Sequence, residues 1–496
     1  MPVDSPIIGL GGYDVQWWHL AIAAVVGAAL LVGGYFAARR LWPIVSKWSR
    51  TQQVAAAGAI VVLLGGAGYA IAKALDRPED VYNADVGFEE KKEKPRKPKE
   101  IKKVDWPVYG YDNARTRFLD TSRVNPPFHS SDWSFVAGTL LEFSPVIHED
   151  RLFIVDKNAR TIALNSNNGR KLWDHDVGGL SAASPAYADG RLFVVTLEPG
   201  DIQALDPETG KLLWERDLGA RSETSPVVYG DDTVIVGNES GTVFALDVKT
   251  GKTKWSIDTP DAVKGGIALE GGIAYFGNYA GELYAVRAKD GDIKWKSGTQ
   301  GSSFGTAGRI YSTPAVAYGR VFVGSIDSRV YSFDAETGEL AWSQSTGDWV
   351  YSAPAVAEAG DGPPTVYIGS KDKYLYALDA KTGAVRWKEF TGGILLGAPT
   401  VLGRIVYVGV IGPQNGTIGY NTQSGNEVFR HELGEYNPVT SDGERLYLTG
   451  ESQLRAFRPE TEAEQRAERA AKKARQERQA EQKAEKKAEK AAEDES

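Results

Sequence analysis

Between residue 140 and residue 458, short apolar runs alternate with polar turns, four runs to a group. One group reads SPVVY, TVIVG, TVFAL and TKWSI between Ser225 and Ile257. Runs this short, rich in β-branched residues and bounded by Gly, Asp and Thr, predict strands. Two longer patterns flank them. Near the N-terminus, 20–38 (LAIAAVVGAALLVGGYFAA) and 54–72 (VAAAGAIVVLLGGAGYAIA) are unbroken and uncharged, whereas the stretch after Glu460 has no large apolar residue.

The groups are repeats. Ala204–Trp214 reads ALDPETGKLLW, and its glycine recurs as Gly169, Gly210, Gly251, Gly291, Gly338, Gly383 and Gly425, 40–47 residues apart. Four residues after each glycine stands Trp173, Trp214, Trp255, Trp295, Trp342, Trp387 or Phe429. Four strands at this period predict β-propeller blades. Within the motif, Asp and Gly suit the turn into the outer strand, and the tryptophan suits packing between blades.

Inner strands are expected near Pro145, Pro185, Pro226, Gly266, Pro314, Pro354, Pro399 and Pro438, which makes eight blades. The last group, YLTGESQLRAF, has no outer strand of its own. SDWSFVAG (131–138) supplies it, because Trp133 precedes Pro145 by the same 12 residues that separate Trp173 from Pro185 and Trp214 from Pro226. The expected fold is thus all-β, an eight-bladed propeller over 106–458 closed by an N-terminal outer strand. Closure from both chain ends leaves no open blade.

Each 19-residue apolar run would span about 28 Å as a helix, one hydrocarbon core, so 1–75 is expected to be a membrane anchor of two transmembrane helices. Arg39, Arg40, Lys47 and Arg50 lie between the runs, which puts that loop in the cytoplasm and the propeller outside. A single span, with the second run peripheral, would reverse the orientation. Trp17, Trp18, Trp42 and Trp48 flank the runs where interfacial aromatics are favoured. Asp4 and Asp14, without Lys or Arg, do not make a secretory n-region. Residues 76–105 contain KKEKPRKPKEIKK and read as a charged, extended, solvated linker. Residues 459–496 read as a solvated helical tail with i,i+4 pairs such as Glu462–Arg466 and Glu468–Lys472.

Composition narrows the chemistry. The 496 residues include no cysteine, which excludes disulfides, thiolate metal sites, C-x-x-C-H haem attachment and a lipidated N-terminal cysteine. The five histidines are scattered, so no metal site is expected from them. A net charge of −8 gives no reason to expect nucleic acid.

The repeats resemble the pyrroloquinoline-quinone (PQQ)-like repeat family of eight-bladed propellers, and WPVYGYDNARTRFLD (106–120) is similar to the lead-in of many bacterial members. The resemblance implies the fold and leaves two functions open. Some members are PQQ- and calcium-dependent alcohol dehydrogenases; others are cofactor-free, BamB-like scaffolds. The dehydrogenases are larger, with insertions around the quinone and commonly adjacent cysteines against it. Here the units are nearly minimal and cysteine is absent. No cofactor is therefore expected, although PQQ stays possible. The expectation is a membrane-anchored, non-catalytic scaffold in the bacterial cell envelope, on the extracytoplasmic side of the membrane, with an envelope protein or polymer as partner. The alternative is a PQQ/calcium-dependent dehydrogenase with an atypical pocket.

Loops from one blade's outer strand to the next blade's inner strand ring one mouth of a propeller's channel. They carry Glu142, Arg221, Glu223, Arg309, Tyr311, Trp349, Tyr351 and Glu435, the candidate contact residues for a peptide or glycan. No nucleophile–base constellation or phosphate loop stands out among the motifs.

Overall fold

The computed structural model describes residues 9–10, 13–14, 46–52, 55, 78–90, 103–129, 131–301, 308–413, 415–436 and 439–494. By contacts the chain divides into Met1–Arg77 and Pro78–Ser496. In the first unit, Gly9–Leu10 pairs with Tyr13–Asp14. Apart from Ala55, both apolar runs lie outside the described residues, as does Pro438. Among the described residues no helix is long and apolar enough to cross a membrane.

The second unit holds eight antiparallel sheets of the blade type. Blade 3 shows the pattern: Val227–Tyr229 innermost, then Thr233–Gly237, Thr242–Asp247 and the outer Thr253–Asp258. Its second strand is wholly buried, while its outer strand alternates between exposed and half-buried positions. That contrast follows from position, because inner strands are sandwiched between blades and outer strands are covered on one face only. Blade 8 comprises Thr440–Ser441, Leu446–Gly450 and Gln453–Phe457, and Trp133–Val136 pairs antiparallel with the last of these. The N-terminal strand therefore closes the ring, as the Trp-to-Pro spacing predicts.

One contact repeats around the ring. Each outer-strand tryptophan lays its ring over the motif glycine of the following blade and donates its indole N–H to the carbonyl three residues before that glycine. Trp214 reaches the Val248 carbonyl at 2.8 Å, and Trp133 joins blade 8 to blade 1 through Ser166 at 3.0 Å. Gly251 has φ +67°, and a Cβ there would meet the Trp214 ring at 2.6 Å. Only glycine satisfies both the left-handed turn and the close ring. The Asp247 side chain finishes the turn by accepting from the Lys249 and Thr250 amides. The junction of blades 7 and 8 lacks this lock. Phe429 stands in the tryptophan's place, with Phe128 edge-on at 5.5 Å, beside a cavity of about 570 Å³ that Phe457 also lines.

Two segments differ from the sequence expectation. Residues 78–90, expected within a solvated linker, are docked on blade 5. The backbone of Val81 and Asn83 pairs with Ala341 and Ser343 of its outer strand, and the Arg320 guanidinium donates to the Val86 and Gly87 carbonyls. Val86 and Phe88 join the core around Tyr318 and Trp342. The outer strand Leu340–Ser345 reads LAWSQS, so no charged side chain of its own stands along the edge that receives the segment. Residues 103–105 are also docked, with Asp105 accepting from the Glu149 amide. The C-terminal helix, Glu462–Asp494, begins with a capping box in which the Thr461 and Glu464 side chains and amides exchange bonds. The expected Glu462–Arg466 pair is formed at 3.2 Å.

The locks yield a graded prediction. Trp214→Ala should cost ~3–5 kcal/mol through the cavity it leaves, and Gly251→Ala about 1–3 kcal/mol through overpacking. Gly298→Ala, where a Cβ meets nothing within 4 Å, should stay within about 0.5 kcal/mol. Denaturant melts read the three; equal effects at Gly251 and Gly298 would contradict the lock.

Candidate functional site

An inner strand pairs with its own blade on one side only, so its other edge presents free backbone groups to the propeller axis. Residues 104–119 meet those edges in blade order. The Val104 amide donates to the Asp442 carbonyl of blade 8, and Trp106 exchanges two bonds with Ile147 of blade 1. The Tyr187 amide of blade 2 donates to the Pro107 carbonyl. Asn113 Nδ2 reaches Val228 of blade 3, and the Leu269, Val316, Val356 and Val401 amides of blades 4 to 7 donate to the carbonyls of Asn113, Ala114, Thr116 and Arg117. Phe118–Leu119 then pairs parallel with Thr400–Leu402. The lead-in segment thus makes one circuit of the axis and fills the channel with the chain's own backbone.

Two arginines pin it. Arg115, fully buried, donates from Nε to the Ile267 carbonyl at 2.8 Å, from Nη2 to Pro226 at 3.0 Å, and from Nη1 to Tyr109. Burial, and then the Arg117 charge, pull its pKa down to about 9, which leaves it charged at neutral pH. Arg117, also fully buried, donates to the Arg115 and Pro354 carbonyls and lies 4.8 Å from the centre of the Tyr109 ring.

Tyr109 is the floor of a cup of about 390 Å³ at the mouth formed by the outer-to-inner loops. The residue three before the inner-strand proline points into it from five of the eight blades, as Glu142, Glu223, Tyr311, Tyr351 and Leu396. Lys264 and Tyr436 line the cup from one residue later in their loops. Four of the eight sequence candidates therefore converge. Arg221, Arg309 and Trp349 stand on the rim. Arg221 lies 3.4 Å from Glu198, Arg309 lies 5.5 Å from the Tyr279 ring centre, and Trp349 meets Tyr351 edge-on at 5.9 Å. Glu435 is turned to Asn415 and does not line the cup. Sequence reading missed Tyr109, Lys264 and Tyr436. The proline register would have found the last two, given a one-residue slip in those loops.

The charged side of the cup is a closed network. Lys264 Nζ lies 2.8 Å from Glu223 and 2.7 Å from Glu239, and the Tyr311 hydroxyl donates to Glu223 at 2.8 Å. Burial pulls the Lys264 pKa down, but its bonds to the two carboxylates outweigh that and raise it. Burial, and then the Glu223 charge, push Tyr311 far above the usual phenol range, so it remains a donor. Burial also pushes the Glu142 carboxyl up; Lys157 opposes that shift and Glu223 adds to it.

The quinone and calcium implied by the dehydrogenase members do not suit these donors. Among the described residues no three His, Asp or Glu side chains gather where a metal ion could sit. Lys264, the cation that lines the cup among the described residues, is already shared between Glu223 and Glu239, while Glu142 and Glu223 would face the carboxylates of the quinone.

A family model described as outer membrane protein assembly factor BamB matches residues 122–262 and 258–468. The chain belongs to this PQQ-like repeat propeller family. Among solved structures of the same architecture, BamB from Moraxella catarrhalis is 20% identical with a TM-score of 0.55, covering 66% of this chain and 97% of that one. Quinohemoprotein alcohol dehydrogenase from Comamonas testosteroni is 15% identical with a TM-score of 0.59, covering 72% and 82%. Both likenesses show the fold alone. Among curated relatives, quinohemoprotein alcohol dehydrogenase ADH IIB of Pseudomonas putida is 35% identical over 88 residues, which is 16% of this chain and only 12% of that protein.

The pin generates a prediction within this family fold. Arg115→Met leaves several buried carbonyls without donors, at about 1–3 kcal/mol each, and should lower stability by on the order of 3 kcal/mol or more. Unchanged denaturant unfolding would show that the segment is not held this way.

Proposed function

We propose that this protein is a membrane-anchored, non-catalytic propeller that serves as a protein or polymer interaction scaffold in the bacterial cell envelope, displayed on the extracytoplasmic side. The observation that carries the reading is the filled axis. The lead-in segment closes the channel, and the mouth becomes a shallow cup whose tyrosines and charged groups offer contacts. Aromatics and arginines on its rim are the side chains that anchor partners. Membership in the family described as BamB supports the same reading. The membrane attachment rests on the two apolar runs and on the basic loop between them.

The second reading is a PQQ/calcium-dependent dehydrogenase, favoured by the short match to a quinohemoprotein alcohol dehydrogenase. The two separate in one titration. Full-length protein in detergent is titrated with PQQ and calcium chloride while absorbance, melting temperature and dye-linked alcohol oxidation are followed. The scaffold reading expects no saturable change and no oxidation. Saturable binding with oxidation of an alcohol would overturn it.

A further inference from the structure

Among residues 106–119, which fill the propeller axis, buried charge does not balance. Arg115 and Arg117, both guanidinium cations, are fully buried there. The carboxylate that accompanies them is Asp112: it accepts from the Thr116 amide at 2.8 Å and the Thr116 hydroxyl at 2.5 Å, and among the described residues no side-chain bond joins it to either guanidinium. Two cations against one anion leave a surplus of one positive charge in a setting shielded from water. Uncompensated, such a buried charge is strongly unfavourable.

The donors are as unbalanced as the charge. Arg115 spends its guanidinium on the carbonyls of Tyr109, Pro226 and Ile267. Arg117 uses only Nη1, on the Arg115 and Pro354 carbonyls, and its buried Nε and Nη2 have no acceptor among the described residues. These two atoms lie on one edge of the guanidinium, the edge that binds anions in a fork. The face of the same group is taken by the Tyr109 ring at 4.8 Å. An acceptor must therefore approach in the guanidinium plane, beneath the floor of the cup.

We propose that the propeller axis holds one small monovalent anion, of the halide class, on the Nε and Nη2 edge of Arg117. One such ion cancels the surplus charge and satisfies both donors. It would be enclosed as the lead-in segment wraps the inner strands, so its binding is linked to folding. The site is separate from the cup, because Tyr109 lies between them. It also does not depend on the scaffold reading: it concerns how the axis is stabilised, whatever the mouth binds.

The test uses full-length protein in detergent, with sodium concentration held constant while gluconate, too large for the axis, is exchanged for chloride or bromide. Ligand that binds only the folded state raises the melting temperature with its concentration. The expected result is a saturable rise of a few degrees in either halide, lost in Arg117→Met. Crystals grown in bromide should show an anomalous peak within hydrogen-bonding distance of Arg117 Nε and Nη2. Equal melting in gluconate and halide, or a bromide-free axis with water on those atoms, would overturn the assignment. Should Arg117→Met fail to fold, the halide series and the anomalous map on the natural chain decide the question alone.

Discussion

An inner strand with one partner has a free edge, and eight such edges facing one axis set the constraint on which this structure turns. Water could satisfy them, as could a ligand. Here residues 104–119 do so, meeting blade 8 and then blades 1 to 7 in order. The chain thereby ties its N-terminal approach to every blade at once. The same act decides what the mouth can be: a cup floored by Tyr109 instead of an open channel.

The ring itself is held by a second device, independent of the first. Tryptophan over glycine, with the indole N–H on a carbonyl of the next blade, joins seven of the eight junctions through Trp133, Trp173, Trp214, Trp255, Trp295, Trp342 and Trp387. The exception lies beside the seam where the two chain ends meet, because blade 8 runs on into the C-terminal helix and has no motif turn to receive Phe429. Seam and missing lock therefore share one cause. Around the perimeter, residues 78–90 pair through a β-bridge at Tyr82 with the uncharged outer strand of blade 5.

The motif positions were legible because they repeat: a period of 40–47 residues marks blades, turns and tryptophans at once, and a 12-residue offset reveals the closing strand. The filled axis was not legible, because its segment repeats nothing. Residues 106–119 make mostly single backbone bonds to successive blades, so neither period 2 nor period 3.6 appears. Bends at Tyr111, Arg115 and Arg117, with φ of 79°, 59° and 54°, break any regular pattern further. The docked 78–90 segment was hidden by its charged surroundings, since composition averages over a window while docking depends on Val86, Phe88 and a receptive edge. At the mouth, the proline register located Glu142, Glu223, Tyr311 and Tyr351. It missed Lys264 and Tyr436 through a one-residue slip in their loops, and Tyr109 because it comes from the axis.

Hydrogen–deuterium exchange at the inner-strand amides of Tyr187, Leu269, Val316, Val356 and Val401 tests the central claim most directly, because these N–H groups donate to carbonyls of residues 107–117 and their protection reports the bonds that fill the axis. The account predicts that they exchange as slowly as the amides of the buried second strand Thr233–Gly237. Complete exchange of these five amides at the earliest times, while the second strands stay protected, would show an open axis and contradict it.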